Sequence, residues 1–407
     1  MITVQKAKSI IDQYLNQLDS EVVLINESSG RIINHNLEAT FPFPRFDNSA
    51  MDGFAVRSID TVGASQEHPA SLKVIGISSA GVPSDLTLNP GECIQCMTGA
   101  SIPNGADAVV IVEHTSGFTD NDTVHVFEET HSGKHIRKMG EEIQKGDSLI
   151  VKGTRITPSE IGVLASFGHR KFSVVKKPRI AIFGTGDELI EPGEILDDGQ
   201  VYNSNLYIFA DLVKNLGGHV TMKNVVKDSK ESLNSFLSKA LKTSDVIISS
   251  GGVSMGRFDY VRDVYIGLGV KEHFWKVAQK PGKPLFFGTK KGTLIFGLPG
   301  NPISAYIGFM KWVWPALESI MGIPKSKPIT GLLTEPFPRE NCKYRYLFGQ
   351  AWFENEKLLC KPTGKIGSHM LSSSLSANCI LGSEQGENPL QPGDKININV
   401  LPWKHIK

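Results

Sequence analysis

The stretch Pro178-Arg179-Ile180-Ala181-Ile182-Phe183-Gly184-Thr185-Gly186-Asp187-Glu188 decides the fold of this chain. Arg179–Phe183 is a short apolar run bounded by a proline and a glycine-rich turn, the pattern of a strand buried on both faces. Beyond it a helix is expected near Ser204–Leu216, ended by Gly217-Gly218. A strand at His219–Val226, a helix at Lys230–Leu241, a strand at Asp245–Ser249 and a helix at Tyr260–Leu268 follow. Strands are then expected at His273–Val277, Leu285–Phe287 and Thr293–Phe296, with a long helix at Pro302–Ile320 that ends before Gly322 and Pro324. Strand and helix alternating at this spacing predict a doubly wound, mostly parallel α/β sheet.

The flanking segments read differently. Val4, Ala7, Ile10, Ile11, Tyr14, Leu15 and Leu18 recur at the spacing of one buried helical face, which predicts a helix over residues 3–18. Residues from about 21 to 178 hold short alternating runs broken by Gly, Pro, Asn and Asp: Ser71–Ser79, Cys93–Met97, Ala108–Glu113, Thr123–Phe127 and Asp147–Val151. Those are β signals. One helix is expected at Pro158–Phe167, with Thr157 as N-cap. After Pro324-Lys325-Ser326-Lys327-Pro328, short β runs return and predict a small separate β domain.

Five polar stretches fall in the α/β region: 184–188, 226–229, 249–256, 280–284 and 297–302. At least four directly follow an expected strand. In a parallel sheet the carboxyl ends of the strands share one edge, and ligands bind in the crevice there. Gly184, Gly186, Gly251 and Gly252 let backbone N–H groups approach phosphate oxygens, with Ser249 and Ser254 beside them and Pro299 and Asn301 in the stretch 297–302. Lys276, Lys280 and Lys283 supply cations. Glu188, Asp228 and Asp259 are hard oxygen ligands suited to Mg²⁺. Together they suggest a metal-assisted reaction on a charged phosphate ester. Any single stretch also reads as an ordinary turn or cap; the case rests on all of them reaching one edge.

Composition excludes several classes. At 407 residues, with 40% hydrophobic content, the chain can build about two to four cored domains. Lys+Arg number 43 and Asp+Glu 42, so no basic excess marks a nucleic-acid binder. Neither a membrane-spanning apolar run nor a signal-peptide pattern is read, so a cytoplasmic protein is expected. Cys93-x-x-Cys96 lacks the second pair of a four-cysteine zinc site, and two small strand residues are the preferred reading. Gly252-Val253-Ser254-Met255-Gly256 matches the serine-hydrolase elbow, but Gly256-Arg257-Phe258-Asp259 separates it from the next helix. The dinucleotide fingerprint fails at Leu189, and the chain has no P-loop sequence.

Phe46-Asp47-Asn48-Ser49-Ala50-Met51-Asp52-Gly53-Phe54-Ala55 resembles the D-N-S-A-M-D-G-[FY]-A motif of the bacterial MoeA family of molybdopterin molybdenumtransferases, also seen as the gephyrin E domain. Met97-Thr98-Gly99-Ala100, the run 103–110, residues 249–256 with Asp259-Tyr260, 280–284, 297–305, and Gly367-Ser368-His369 with Ser372-Ser373 resemble further motifs, so the likeness spans nearly the whole chain. It implies an elongated, four-part α/β plus β subunit. Residues 21–45 and 143–177 would form a linker domain, and 46–142 a β-rich domain. Residues 1–20 and 178–325 would form the α/β molybdopterin-binding domain, and 326–407 a small β-barrel-like domain.

The resemblance also implies insertion of molybdate into adenylylated molybdopterin, with Mg²⁺-dependent hydrolysis and release of AMP. Asp52, Thr98, Glu188, Asp228, Asp259, Lys276, Lys280 and Ser368 take the family's functional positions. Glu188 and the aspartates would hold Mg²⁺ and position water, while the lysines hold molybdate and phosphate with help from Lys283. A homodimer is implied, with the Asp52–Thr98 region facing the partner's α/β site. Two departures stand out. Gly140-Glu141-Glu142 replaces the family's G-E-D, which puts Glu142 among the expected metal residues. Lys343, Tyr346 and Phe348 replace arginine-bearing positions of a G-R-x-x-[FY]-x-R pattern, with Arg345 nearby. The competing readings are a serine hydrolase using Ser254 and a non-catalytic, gephyrin-like scaffold. An adenylyltransferase of the preceding step would share only the α/β domain.

Overall fold

In the computed structural model, Ile180, Ala181, Ile182 and Phe183 are fully buried. The strand that carries them, β1 (Arg179–Thr185), lies between two parallel neighbours, β2 (His219–Val226) and β3 (Val246–Ser250). Residues 1–118, 122–252, 260–325, 329–364, 367 and 370–406 are described. They form two compact units, one of Met1–His35, Lys152–Ile161 and Lys171–Lys407, the other of Asn36–Val151 and Gly162–Arg170.

In the first unit β4 (Lys271–Lys276), β5 (Pro284–Lys290) and β6 (Thr293–Leu298) complete a sheet of order β2-β1-β3-β6-β5-β4. The first four strands are parallel, and β5 and β4 add an antiparallel edge. The pleat sends alternate side chains to opposite faces, so there are two cores. Ile180, Ile182, Val246, Ile248, Leu294 and Phe296 pack with α1 (Val4–Asp12), α2 (Asn205–Leu216) and α5 (Pro302–Gly308). Ala181, Phe183, Ile247, Phe286 and Ile295 pack with α3 (Lys230–Thr243) and α4 (Tyr260–Gly267). This is the expected doubly wound arrangement.

Two helices depart from expectation. The helix over 3–18 stops at Asp12. The N–H of Tyr14 turns back to Ile11 O (2.9 Å), and the N–H of Leu18 bonds Ile320 O (2.8 Å). Tyr14, Leu15 and Leu18 still pack on the same core, so the apolar period outlasts the helix. The helix over 302–320 is interrupted by a π-turn at Phe309–Val313 before Trp314–Ile320. Pro315 lacks the N–H that would close onto Lys311, and a local π adjustment accommodates that loss.

Also in this unit, Tyr344–Glu354 pairs with both Lys357–Pro362 and Cys379–Ser383. The circuit runs on through Ile329–Leu333 and Lys395–Val400, giving a closed five-stranded barrel around Phe337, Leu347, Cys360 and Leu381. In the second unit, Gly53–Val56 and Glu92–Cys96 lie central in a five-stranded sheet. Cys93 and Cys96 enter different clusters on opposite faces, and burial pushes their thiols up to about 12 and about 11. Two packed strand residues, not a redox pair, account for the C-x-x-C. Among the described residues, no helix is long and apolar enough to cross a membrane.

Lys311 is buried at the π-turn, its Nζ bonded to Asn399 Oδ1, and desolvation, with Lys8 adding repulsion, lowers its pKa to about 7. An unfolded lysine stays protonated to about pH 10.4, so burying this one costs most below about pH 7, and the cost fades as pH rises. Lys311→Met is therefore expected to raise the unfolding temperature, and by more at pH 6 than at pH 9. A gain that does not change with pH would contradict this account.

Candidate active site

The carboxyl ends of β1 and β3 flank a topological switch point, because the chain leaves β1 toward β2 on one side and leaves β3 toward β4 on the other. Ligands of open α/β sheets bind at such points. A cavity of about 1070 Å³ opens there, in the first unit. Its walls include Gly184, Thr185 and Glu188 after β1, Ser250, Gly251 and Gly252 after β3, and Pro299, Gly300 and Asn301 after β6. Lys280 and Lys283 come from the loop before β5, and Lys343 and Arg345 from the barrel. Thus four cationic side chains face one carboxylate, Glu188.

Local contacts fix these loops. Gly251 has φ +85°, and a Cβ there would lie 2.8 Å from Thr185 O. Asn205, at the start of α2, donates from Nδ2 to Ser250 Oγ (2.8 Å) and Gly300 O (2.7 Å), tying the loops after β3 and β6 together. Buried Gln279 donates to Gly282 O (2.8 Å) and accepts from Trp312 Nε1 (3.0 Å). Gln279-Lys280 also pairs in parallel with Tyr344-Arg345, which sets Lys280 beside Arg345. Arg345 is only 4% exposed, and its Nε has no hydrogen-bond partner among the described residues. Its one ion pair among the described residues is Nη1 to Glu340 Oε1 at 4.0 Å. Burial depresses its basicity, an effect that Glu340 opposes.

The remaining expected residues are placed as follows. Asp228 lies at the end of β2, where Thr185 Oγ1 donates to its Oδ1 (3.2 Å). Gly186, Asp228, Ser249 and Lys276 are not among the cavity walls; Lys276 Nζ sits 4.1 Å from the Trp275 ring. Ser254, Asp259 and Ser368 lie outside the described residues. Asp52, Thr98 and Glu142 belong to the second unit. There the N–H and Oγ1 of Thr98 both donate to Asp52 Oδ1 (2.7 and 2.8 Å), which holds the Asp52 carboxyl below its usual range. Gly53 is required beside it, because a Cβ would meet Val110 O at 1.9 Å. Glu142 is exposed. No group of three or more His, Cys, Asp or Glu that could hold a metal is found among the described residues.

Sequence reasoning singled out none of Asn205, Gln279 or Glu340. Asn205 and Gln279 sit within strand or helix ends, where a single polar residue gives no pattern. Arg345 carried a signal, a guanidinium inside the apolar run 344–348.

A doubly wound sheet with a cationic switch-point cavity, joined to a closed barrel, is the architecture of an α/β enzyme for anionic ligands. Three family models match this chain: the MoeA N-terminal region (domain I and II) over residues 2–168, a probable molybdopterin binding domain over 181–319, and the MoeA C-terminal region (domain IV) over 330–401. The molybdopterin molybdenumtransferase of Staphylococcus aureus (strain N315) is 34% identical, the match covering 96% of this chain and 94% of that protein; the Bacillus subtilis one is 33% identical, covering 98% and 94%. Two crystal structures of the molybdopterin biosynthesis MoeA protein of Pyrococcus horikoshii superpose with TM-scores of 0.84 and 0.80, at 30% and 27% identity, each covering 98% of this chain. The chain belongs to the molybdopterin molybdenumtransferase family, transferases of molybdenum cofactor biosynthesis.

The Asp52 contact is open to direct measurement. Its depressed pKa stabilises the fold above the ordinary carboxyl value, and that contribution is lost as pH falls through the folded value. Thr98→Val removes the side-chain donor and keeps the backbone one. The Asp52 carboxyl, followed by ¹³C NMR titration, should titrate at higher pH in the variant. An unchanged midpoint would show that the Thr98 hydroxyl does not bear on Asp52.

Proposed function

We propose that the cavity at the β1 switch point inserts molybdate into adenylylated molybdopterin, with divalent-cation-dependent hydrolysis of the phosphoanhydride and release of AMP. The supporting observation is the charge distribution: Lys280, Lys283, Lys343 and Arg345 against Glu188, in a cavity walled by glycine-rich loops. Two anionic substrates must be held together there, and preorganised cations stabilise charge that develops on a transferring phosphoryl group. Glu188 and Asp228 sit at the ends of adjacent strands and offer hard oxygen donors of the type Mg²⁺ prefers. With Asp259, they are the residues that would hold the cation. A bound Mg²⁺ would neutralise phosphate charge and orient water. Gly184, Gly186, Ser249, Gly251, Gly252, Ser254, Pro299, Asn301, Lys276 and Ser368 complete the proposed ligand contacts. Asp52, Thr98 and Glu142 are proposed to act from the second unit within a homodimer.

The four-part domain division and a cytoplasmic location belong to the same proposal. Membership in the molybdenumtransferase family favours this reading over a serine hydrolase or a scaffold without catalysis.

The test is AMP release from adenylylated molybdopterin with molybdate and Mg²⁺, followed by chromatography. Glu188→Ala and Asp259→Ala should each lower the rate by about 10²-fold or more while the fold survives. Wild-type turnover in both variants would defeat the assignment. Full loss of activity in Ser254→Ala, with both carboxylate variants active, would instead favour the hydrolase.

A further inference from the structure

Arg345 presents an electrostatic problem. A guanidinium has five N–H donors, yet this one is 4% exposed, and among the described residues its Nε has no hydrogen-bond partner and its one ion pair is long. Burying a charge without close pairing costs several kcal/mol, so the protein must gain something from keeping it. The carboxylate paired with it is Glu340. Glu340 Oε1 accepts from Lys280 Nζ at 2.6 Å and stands 4.0 Å from Arg345 Nη1, so one oxygen serves two cations that both line the cavity. Glu340 itself is not a wall of the cavity.

Glu340 sits in the turn that leads into the barrel strand carrying Arg345, in an antiparallel bridge with Lys343. Its backbone carbonyl is held by the Gly386 N–H (3.0 Å). Its side chain is 28% exposed. The carboxylate can therefore swing away by side-chain rotation alone, with the backbone left in place.

We propose that Glu340 is a resident counter-anion: it occupies the Lys280–Arg345 seat in the ligand-free protein and is displaced by an incoming tetrahedral oxyanion dianion. This rests on reading the cavity as an oxyanion site and adds a determinant of affinity to it. In the ligand-free state Glu340 partly compensates the buried Arg345 charge. During binding it competes, so the oxyanion is held less tightly than the cations alone would hold it, and it can leave again. The Lys280 bond lowers the Glu340 pKa, so the carboxylate stays charged at neutral pH.

The test is isothermal titration of the full-length chain with molybdate, and with perrhenate as a monoanion of the same tetrahedral shape. Wild type, Glu340→Gln, Glu340→Asp and Arg345→Met are compared at pH 7.5, with circular dichroism to check the fold. Removing a like charge raises the local potential, and a dianion gains twice as much from that as a monoanion. Glu340→Gln should therefore bind molybdate more tightly, by on the order of ten-fold, with a smaller gain for perrhenate. Glu340→Asp, which keeps the charge on a shorter arm, should fall between it and wild type. Arg345→Met should lose molybdate binding. Equal or weaker molybdate binding in Glu340→Gln, with Arg345→Met still defective, would overturn the counter-anion and leave the oxyanion site standing. Equal gains for both anions would also overturn it, since a merely loosened loop predicts that result. No molybdate uptake by wild type or any variant would remove the oxyanion reading and this proposal with it.

Discussion

The parallel pairing of β1 with β2 on one side and β3 on the other is the constraint on which the site depends. The chain leaves β1 and β3 in opposite directions, and the cavity opens between the loops that follow them. The cavity persists because both faces of the sheet are sealed by helices, one around Phe209 and Phe296, the other around Phe286 and Tyr265. Its loops must come close together without clashing, which is why Gly251 stands where any Cβ would strike Thr185 O. Asn205 then ties the loops after β3 and β6 into one wall, and Gln279 braces the turn that carries Lys280. Such ties hold polar groups in position before a ligand arrives, which keeps the reorganisation cost of binding low.

Legibility from sequence followed how local the signal was. The continuous apolar runs of β1, β3 and β6 and the glycine at the end of α2 came from short-range physics, and their order alone predicted the doubly wound sheet. The helix expected over 3–18 is longer than the observed Val4–Asp12 because periodicity reports which side chains are buried, not which backbone bonds are made. Tyr14, Leu15 and Leu18 reach the core while the backbone has already left the helix for Ile320. The π-turn was visible only as Pro315, whose effect depends on helix geometry. Within the site, the glycine-rich loops and Lys280 and Lys283 could be found because the topology rule assigns loops to an edge. The pairing of residues 279–280 with 344–345 joins segments more than sixty positions apart, and no local pattern encodes it. Glu340 and Arg345 could not be read as partners without it.

The cavity also shows how function opposes stability in this fold. Four cations gathered near a low-dielectric wall repel one another, and Arg345 is further penalised by burial. The same arrangement is favourable once a dianion or a phosphate enters, because the field is already in place when the charge arrives. A protein selected for stability alone would replace Arg345 with an apolar residue, as packed substitutes for buried ion pairs are often neutral or stabilising. Lys311 imposes a similar cost at the π-turn, with Asn399 as its hydrogen-bond partner. The two sites differ in one respect. Arg345 lines the cavity, so under the proposed function a bound anion would relieve its penalty. Lys311 does not line that cavity, so its penalty stays with the fold at every ligand concentration. Under the proposed function, stability would thus rise with anion concentration, while the Lys311 contribution responds to pH alone.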